Sequence, residues 1–220
     1  MRLLCPILVL STGGCAISPA LDRYTAGEID YFTEIAFGAE YGDVAEGIIK
    51  WEKDLRVEAR GSPTESDRKE LERVVEDLNG MLEPIQIRLV VENPNVVITW
   101  APVLTFPAIE PNYAMAGNRY NVGYLWVTSR RGRIQRARIL VATDETIRRR
   151  RHILREELTQ VLGLINDSHR YPDSMFYEER SEQTRYADVD RALIEMLYRS
   201  EIRPGMRPEQ VRAVLGDLTR

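Results

Sequence analysis

Residues 147–166 constrain the fold more than any other stretch, because their spacing describes a helix with two unlike faces that is stopped by a glycine. At about 100° per residue, Ile147, Leu154, Leu158, Val161 and Ile165 fall in one stripe that must face a core. Glu156, Gln160 and Gly163 lie on roughly the opposite side, with His152 one turn before Glu156. Side chains four residues apart stand one above the other on a helix, so Glu156 and Gln160 point into the same space, with Glu157 next to them. Gly163 suits a left-handed turn that ends the helix and swings Asn166 back towards that space. An ordinary amphipathic helix with a solvated glutamate pair would contain the same residues, so the rest of the chain has to decide.

The stretch fits the frame H-E-x-x-H-x-x-G-x-x-H of zinc proteases, with every histidine replaced. Glu156, Gln160 and Asn166 occupy the three ligand positions, Glu157 that of the general base, and Gly163 that of the turn glycine. Glu156, Gln160, Asn166 and the neighbouring Asp167 offer oxygen donors only. Such donors suit calcium, magnesium or manganese, whereas zinc in proteins favours histidine and cysteine. No zinc and no other cofactor is therefore expected, and no residue is assigned as a metal ligand; an oxygen-ligated divalent cation stays open. The other expectation is a hydrogen-bonded Glu156-Gln160-Asn166 clasp in place of a metal. Without a metal-activated water, Glu157 is a weak base.

Downstream, Pro172-Asp173-Ser174-Met175-Phe176-Tyr177 resembles the methionine turn of metzincins. In one register Met175 stands where isoleucine is usual, Phe176 at the methionine position and Tyr177 at the following tyrosine. Asp188 to Tyr198 resembles the closing helix of that superfamily, with Val189, Ala192, Leu193, Met196 and Leu197 at helical spacing. Four segments widen the resemblance: Tyr31 to Gly42, Ile49-Lys50-Trp51, Arg151 to Gln160, and Ile202-Arg203-Pro204-Gly205-Met206. Together they resemble a family of proteobacterial lipoproteins grouped as domain of unknown function 2927, a zincin-like family. The resemblance implies a single α+β zincin-like (metzincin-like) domain, a twisted mostly-β sheet packed on two long helices, plus a C-terminal helical part. It implies no established substrate or activity.

The amino terminus points to export. Met1-Arg2 is a minimal positive region, and the apolar run Leu3 to Leu10 is far shorter than the roughly 18 residues that span a bilayer. With Ser11 to Gly14 it has the pattern of a secretory signal. Thr12-Gly13-Gly14-Cys15 resembles a lipobox, with threonine where leucine is usual. Cleavage would remove Cys5 and leave Cys15 as the first residue and the sole cysteine, so no intramolecular disulfide can form. A thioether lipid on Cys15 would hold the protein stably on a membrane. Ala16, in place of aspartate, favours the outer membrane among the lipoproteins it resembles. The expected organisation is a signal at 1–14, a tether at 15–26, the zincin-like domain at 27–206 and a short C-terminal helix at 207–220.

The chain has 220 residues, 44% of them hydrophobic and 29% charged, enough for one domain with a sizeable core. Its pattern predicts a first helix interrupted at Gly42, a half-buried strand through Trp51, Leu55, Val57 and Ala59 that ends at Gly61-Ser62-Pro63, and a helix opened by a Thr64–Asp67 capping box. A second strand through Ile85, Ile87, Leu89 and Val91 follows, then a third from Val96 to Trp100. Residues 101–121 are expected to form one long loop. Strands at Tyr124–Thr128 and Gln135–Val141 should pair as a hairpin around Arg131-Gly132. The last helix contains Pro208, Val211, Val214, Leu215 and Leu218.

The run Arg148 to Arg151, with Arg155, is expected to be a solvated face paired with acids such as Asp144, Glu145 and Glu156; contact with anionic lipid or phosphate is its functional alternative. At a net charge of -4, nucleic acid is not an expected partner. Three functions follow. One is a membrane-tethered binding or scaffold protein that holds an envelope protein or peptide in an old protease cleft. The others are a hydrolase using Glu156 and Glu157, and an oxygen-ligated metallopeptidase.

Overall fold

A computed structural model describes residues 24–38, 46–115, 121–179 and 181–217. Among them, five strands form one sheet in the order β2-β1-β3-β5-β4. β1 (Leu55–Gly61), β2 (Ile87–Leu89), β3 (Val96–Ala101) and β5 (Arg133–Ala142) are parallel neighbours, and β4 (Gly123–Arg130) is an antiparallel edge. The signal, Cys15 and most of the tether lie outside the described residues, as does Gly42.

Strand alternation decides which side of the sheet is covered. Val57, Val96, Ile98, Trp100, Ala137, Ile139 and Val141 face the main core, against α2 (Glu65–Asn79) and α5 (Ile147–Gln160). This is the α+β arrangement of a sheet on two long helices that the resemblance implies. The other side holds a smaller cluster of Ala101, Phe106, Tyr113, Tyr124, Leu140 and Ala142. That cluster corrects the expected loop over residues 101–115; residues 116–120 lie outside the described ones. After a 3-10 turn at Val103–Thr105, α3 (Phe106–Ile109) and α4 (Pro111–Met115) form there, and Phe106, Tyr113 and Tyr124 meet edge to face at 5.3 Å spacings. Aromatic packing on the sheet gives order to a segment whose proline content suggested none.

Helix starts follow the local chemistry. α2 opens with the expected box: Thr64 N–H donates to Asp67 Oδ2 at 2.8 Å, and Asp67 N–H donates to Thr64 Oγ1 at 3.3 Å. α1 (Ala26–Phe37) opens with a second box between Thr25 and Glu28. The hairpin turns at Arg131 and Gly132, both at positive φ, which the tight turn between twisted strands requires. α1 packs on α6 (Asp188–Tyr198) and on α7 (Pro208–Gly216), whose Val211 and Leu215 join the main core.

Three further expectations are corrected. β1 starts at Leu55, leaving Trp51 buried ahead of it. The second strand keeps only Ile87 to Leu89, and the alternation fails beyond Ile87, with Leu89 and Val91 exposed. The arginines of α5 are a solvated face only in part: Arg148 is exposed, while Arg150 and Arg155 are buried. Arg150 pairs with Asp67 at 3.0 Å and Arg155 with Glu70 at 3.2 Å and Asp77 at 2.5 Å, while Arg148 reaches Glu182 at 3.2 Å. Arg150 and Arg155 are buried and bind α5 to α2, a role that solvated arginines could not fill.

A four-residue strap, Ile48 to Trp51, ties these parts together. Its backbone bonds Met206, Gly205, Gly132 and Ile134. Trp51 Nε1 donates to Val161 O at 2.8 Å, closing the end of α5. The buried Lys50 ammonium donates to Leu197 O at 2.6 Å, Ile202 O at 2.9 Å and Arg199 O at 3.4 Å, closing the end of α6. Burial pushes its pKa from 10.5 down to about 8, and the negative charge of Glu52 offsets only part of that cost of leaving water.

Replacing Lys50 with Met should lower stability by about 2–4 kcal/mol, since two buried carbonyls and one part-buried carbonyl lose a charged donor; urea unfolding measures it. Between pH 8 and 10.5 the unfolded chain binds more protons at this residue than the folded one. Wild-type stability therefore gains as pH rises through that window, and the gap between wild type and Lys50→Met should widen there. A constant gap would refute the shift.

Candidate functional site

A cleft of about 380 Å³ lies between α5 and the edge strand β4. Val122, Leu125, Val127, Ile153 and Ile165 give it apolar walls, and Glu156, Glu157, Gln160, Asp167 and Glu178 give it carboxylates and one amide. Glu156, Glu157 and Gln160 all line it. The apolar stripe of α5 is shorter than expected. Leu154, Leu158 and Val161 are buried, but Ile147 is 51% exposed at the first turn and Ile165 is half-buried in the cleft wall.

Each polar group has a partner. His152 Nδ1 is 2.8 Å from Gln183 O, and its Nε2 is 3.1 Å from Glu156 Oε2. Gln160 Nε2 donates to Asp167 Oδ1 at 2.7 Å. Gly163 takes φ +121 where the helix ends, and a Cβ there would run into Ile49 O. The turn does not return Asn166 to the cluster: its amide donates to Glu34 O at 3.3 Å and Asp167 O at 2.9 Å. The expected Glu156-Gln160-Asn166 clasp is thus corrected to two pairs, His152–Glu156 and Gln160–Asp167. The chain turns one residue further before a side chain faces the cleft.

The expected methionine turn is a buried support. Met175 and Phe176 are fully buried, and Tyr177 pairs with Ser168. Asp190 of α6 accepts Met175 N–H at 3.0 Å and Ser174 Oγ–H at 2.6 Å, while Tyr31 Oη donates to Ser174 Oγ at 2.9 Å. Burial raises the Asp190 pKa, and the bonds from Ser174, Ala187 and Met175 oppose that rise. Site helix, glycine turn, buried turn and closing helix follow one another in that order along the chain.

A zinc ion fits this donor set poorly. The amide at position 160 turns its nitrogen towards Asp167, Asn166 faces away, and among the described residues no three His, Cys, Asp or Glu side chains are grouped to hold a metal.

The family model described as "Protein of unknown function (DUF2927)" matches residues 26–217. The chain belongs to that family. No curated protein matches it. A solved structure titled "Crystal structure of myroilysin" overlays 74% of this chain and 92% of its own, at 10% identity and a TM-score of 0.47. That overlay is too loose to assign anything to this chain.

In this DUF2927 chain, two contributors to the site escaped the sequence reading. Gly123 of β4 lies against the site helix, where a Cβ would strike Glu157 Oε1 and the Ile153 side chain. Gly38 leaves the space that the Asn166 amide fills. Neither glycine sits in a turn signal, so only the close approach of another element reveals its purpose. Asp167 had been noted as a donor, but not as the residue that meets Gln160.

Gly163→Ala should cost at least about 2 kcal/mol, combining an unfavourable φ with a backbone collision. Gly80→Ala, at φ -70 with only ordinary contacts, should be neutral or stabilise by up to about 1 kcal/mol. Thermal unfolding of the two variants checks the contrast.

Proposed function

We propose that this protein is a lipid-anchored envelope protein whose protease-like cleft binds an extended peptide without cleaving it. The observation that carries this reading is the use made of the former ligand positions. Glu156 is held by His152, Gln160 by Asp167 and Asn166 by the α1 carbonyl of Glu34. These groups rigidify the cleft but supply no strong electrophile. Without a Lewis acid at a carbonyl or a bound water, several kcal/mol of transition-state stabilisation are missing.

The cleft offers backbone to a partner. Ala142 N–H donates to Val122 O at 2.9 Å, and hydrogen-bonded pairs alternate along an antiparallel ladder. Val122, Tyr124 and Trp126 therefore face β5, while Gly123, Leu125 and Val127 turn their N–H and C=O groups to the outer edge. Among the described residues no strand pairs with that edge. An extended segment can add there as a further strand, with side chains alternating into the cleft. A hydrolase using Glu156 and Glu157 is less well supported, because adjacent helix positions diverge by about 100° and do not flank one bond.

Glu157→Gln should leave biological function largely intact in a deletion strain, while a bulky residue at Gly163 should abolish it through folding. Loss of function in a well-folded Glu157→Gln protein, with stoichiometric zinc in the wild type, would make the protein an enzyme. The anchor rests on the sequence around Cys15. A fatty-acid probe should label wild type in cells and leave Cys15→Ser unlabelled; absence of label from both would remove the lipoprotein assignment.

A further inference from the structure

The outer face of the sheet, across β4 from the cleft, carries exposed apolar side chains beside arginines that no acid neutralises. Leu125, Ala137, Ile139 and Val57 pack in the main core, so alternation turns Trp126, Arg136, Arg138 and Arg56 to the other side. Register sets Trp126 beside Arg138 and Thr128 beside Arg136. Trp126 is 40% exposed. Buried Glu110 meets Arg138 at 2.7 Å and leaves its guanidinium half exposed. Arg56 donates to the carbonyl of Asn93, and neither Arg56 nor Arg136 has an acidic partner among the described residues. The link from α4 to β4, which lies outside the described residues, is Ala116-Gly117-Asn118-Arg119-Tyr120 and contains no acid. Two aliphatic side chains complete the face. Ile109, next to Glu110, is 41% exposed, and Leu104, two residues before the buried Phe106, is 91% exposed.

We propose that this face docks on an anionic phospholipid surface, with Arg56, Arg136 and Arg138 at the headgroup phosphates and Leu104, Ile109 and Trp126 at the boundary with the acyl chains. Two features select that partner. Arg136 on β5 and Arg56 on β1 flank β3 in one row of the sheet. At ordinary strand spacing they start about 10 Å apart, which suits charges spread over a plane better than one small anion. The aliphatic side chains exclude a purely electrostatic partner, because a water-soluble polyanion gives them nothing. At a bilayer their transfer out of water is favourable, and tryptophan is enriched at headgroup level. Each arginine near an anionic surface is worth about fivefold in partitioning. Trp126 borders both this face and the cleft, but the other five side chains lie away from the cleft, and the face would act with or without an acyl chain on Cys15.

The chain supplies its own probe. Of its three tryptophans, Trp51 and Trp100 are buried and Trp126 is exposed, so a change in tryptophan emission reports this face. The mature chain from residue 15, with Cys15→Ser so that no acyl chain anchors it, is titrated with vesicles. These are phosphatidylcholine alone or mixed with an equal part of phosphatidylglycerol. The mixed vesicles should bind at least about tenfold more tightly than the neutral ones, with the difference shrinking in about 0.5 M salt. Brominated acyl chains should quench the Trp126 emission. Arg136→Gln should weaken binding about fivefold, and Leu104→Asp at least about threefold. Both residues are exposed, and thermal unfolding checks that the variants fold. Lys69→Gln removes an exposed charge from α2, on the other side of the sheet, and should change binding less than about twofold. Equal binding to neutral vesicles, equal losses in Arg136→Gln and Lys69→Gln, or binding without quenching overturns the proposal. Absence of binding to any vesicle overturns it as well; capture of dextran sulfate in that case would assign the face to an anionic polysaccharide instead.

Discussion

The ammonium of Lys50 sits where the ends of two helices meet, and much of the architecture depends on it. An α-helix leaves its last carbonyls without partners, and those of α6 end inside the protein. One cation on the strap answers them, and the neighbouring Trp51 indole answers the end of α5. The same strap faces Gly163 through Ile49 O and bonds both the hairpin turn and the Pro204–Met206 segment. Two of the segments that mark the family, Ile49-Lys50-Trp51 and Ile202 to Met206, are thus two halves of one junction. Neither touches the cleft, which explains why they characterise a fold without describing a reaction.

The cleft is built on that junction. Helix α5 is fixed at its end by Trp51, along its length by buried arginine pairs to α2, and across the cleft by its contact with Gly123. Breaking a buried pair typically costs about 3–5 kcal/mol, so the helix has little freedom to rotate its polar face. Two pairs, His152–Glu156 and Gln160–Asp167, then hold side chains that line the cleft.

What the sequence revealed depended on whether a signal was local. Both the Thr64–Asp67 box and the Arg131-Gly132 turn act over three or four residues, and they lie where their chemistry puts them. The frame from Glu156 to Gly163 placed the site helix and its terminus for the same reason. Residues whose purpose is set by another element were misread. Arg150 and Arg155 of α5 look solvated until α2 supplies Asp67, Glu70 and Asp77 at long sequence separation. Asn166 fits the frame by count, yet Glu34 O and the space over Gly38 draw it away. The segment at 101–121 lacks strong periodicity and gains its short helices from aromatic packing on the outer sheet face. Ile147 and Val91 show the converse, matching an apolar period beyond the point where the core ends.

Gly123 joins the edge strand to the site helix by having no side chain, so that Glu157 and Ile153 lie directly over its backbone. Any side chain at this position would have to push the Glu157 carboxylate and the Ile153 side chain aside, so the closeness of β4 and α5 at that end of the cleft is set by bare backbone.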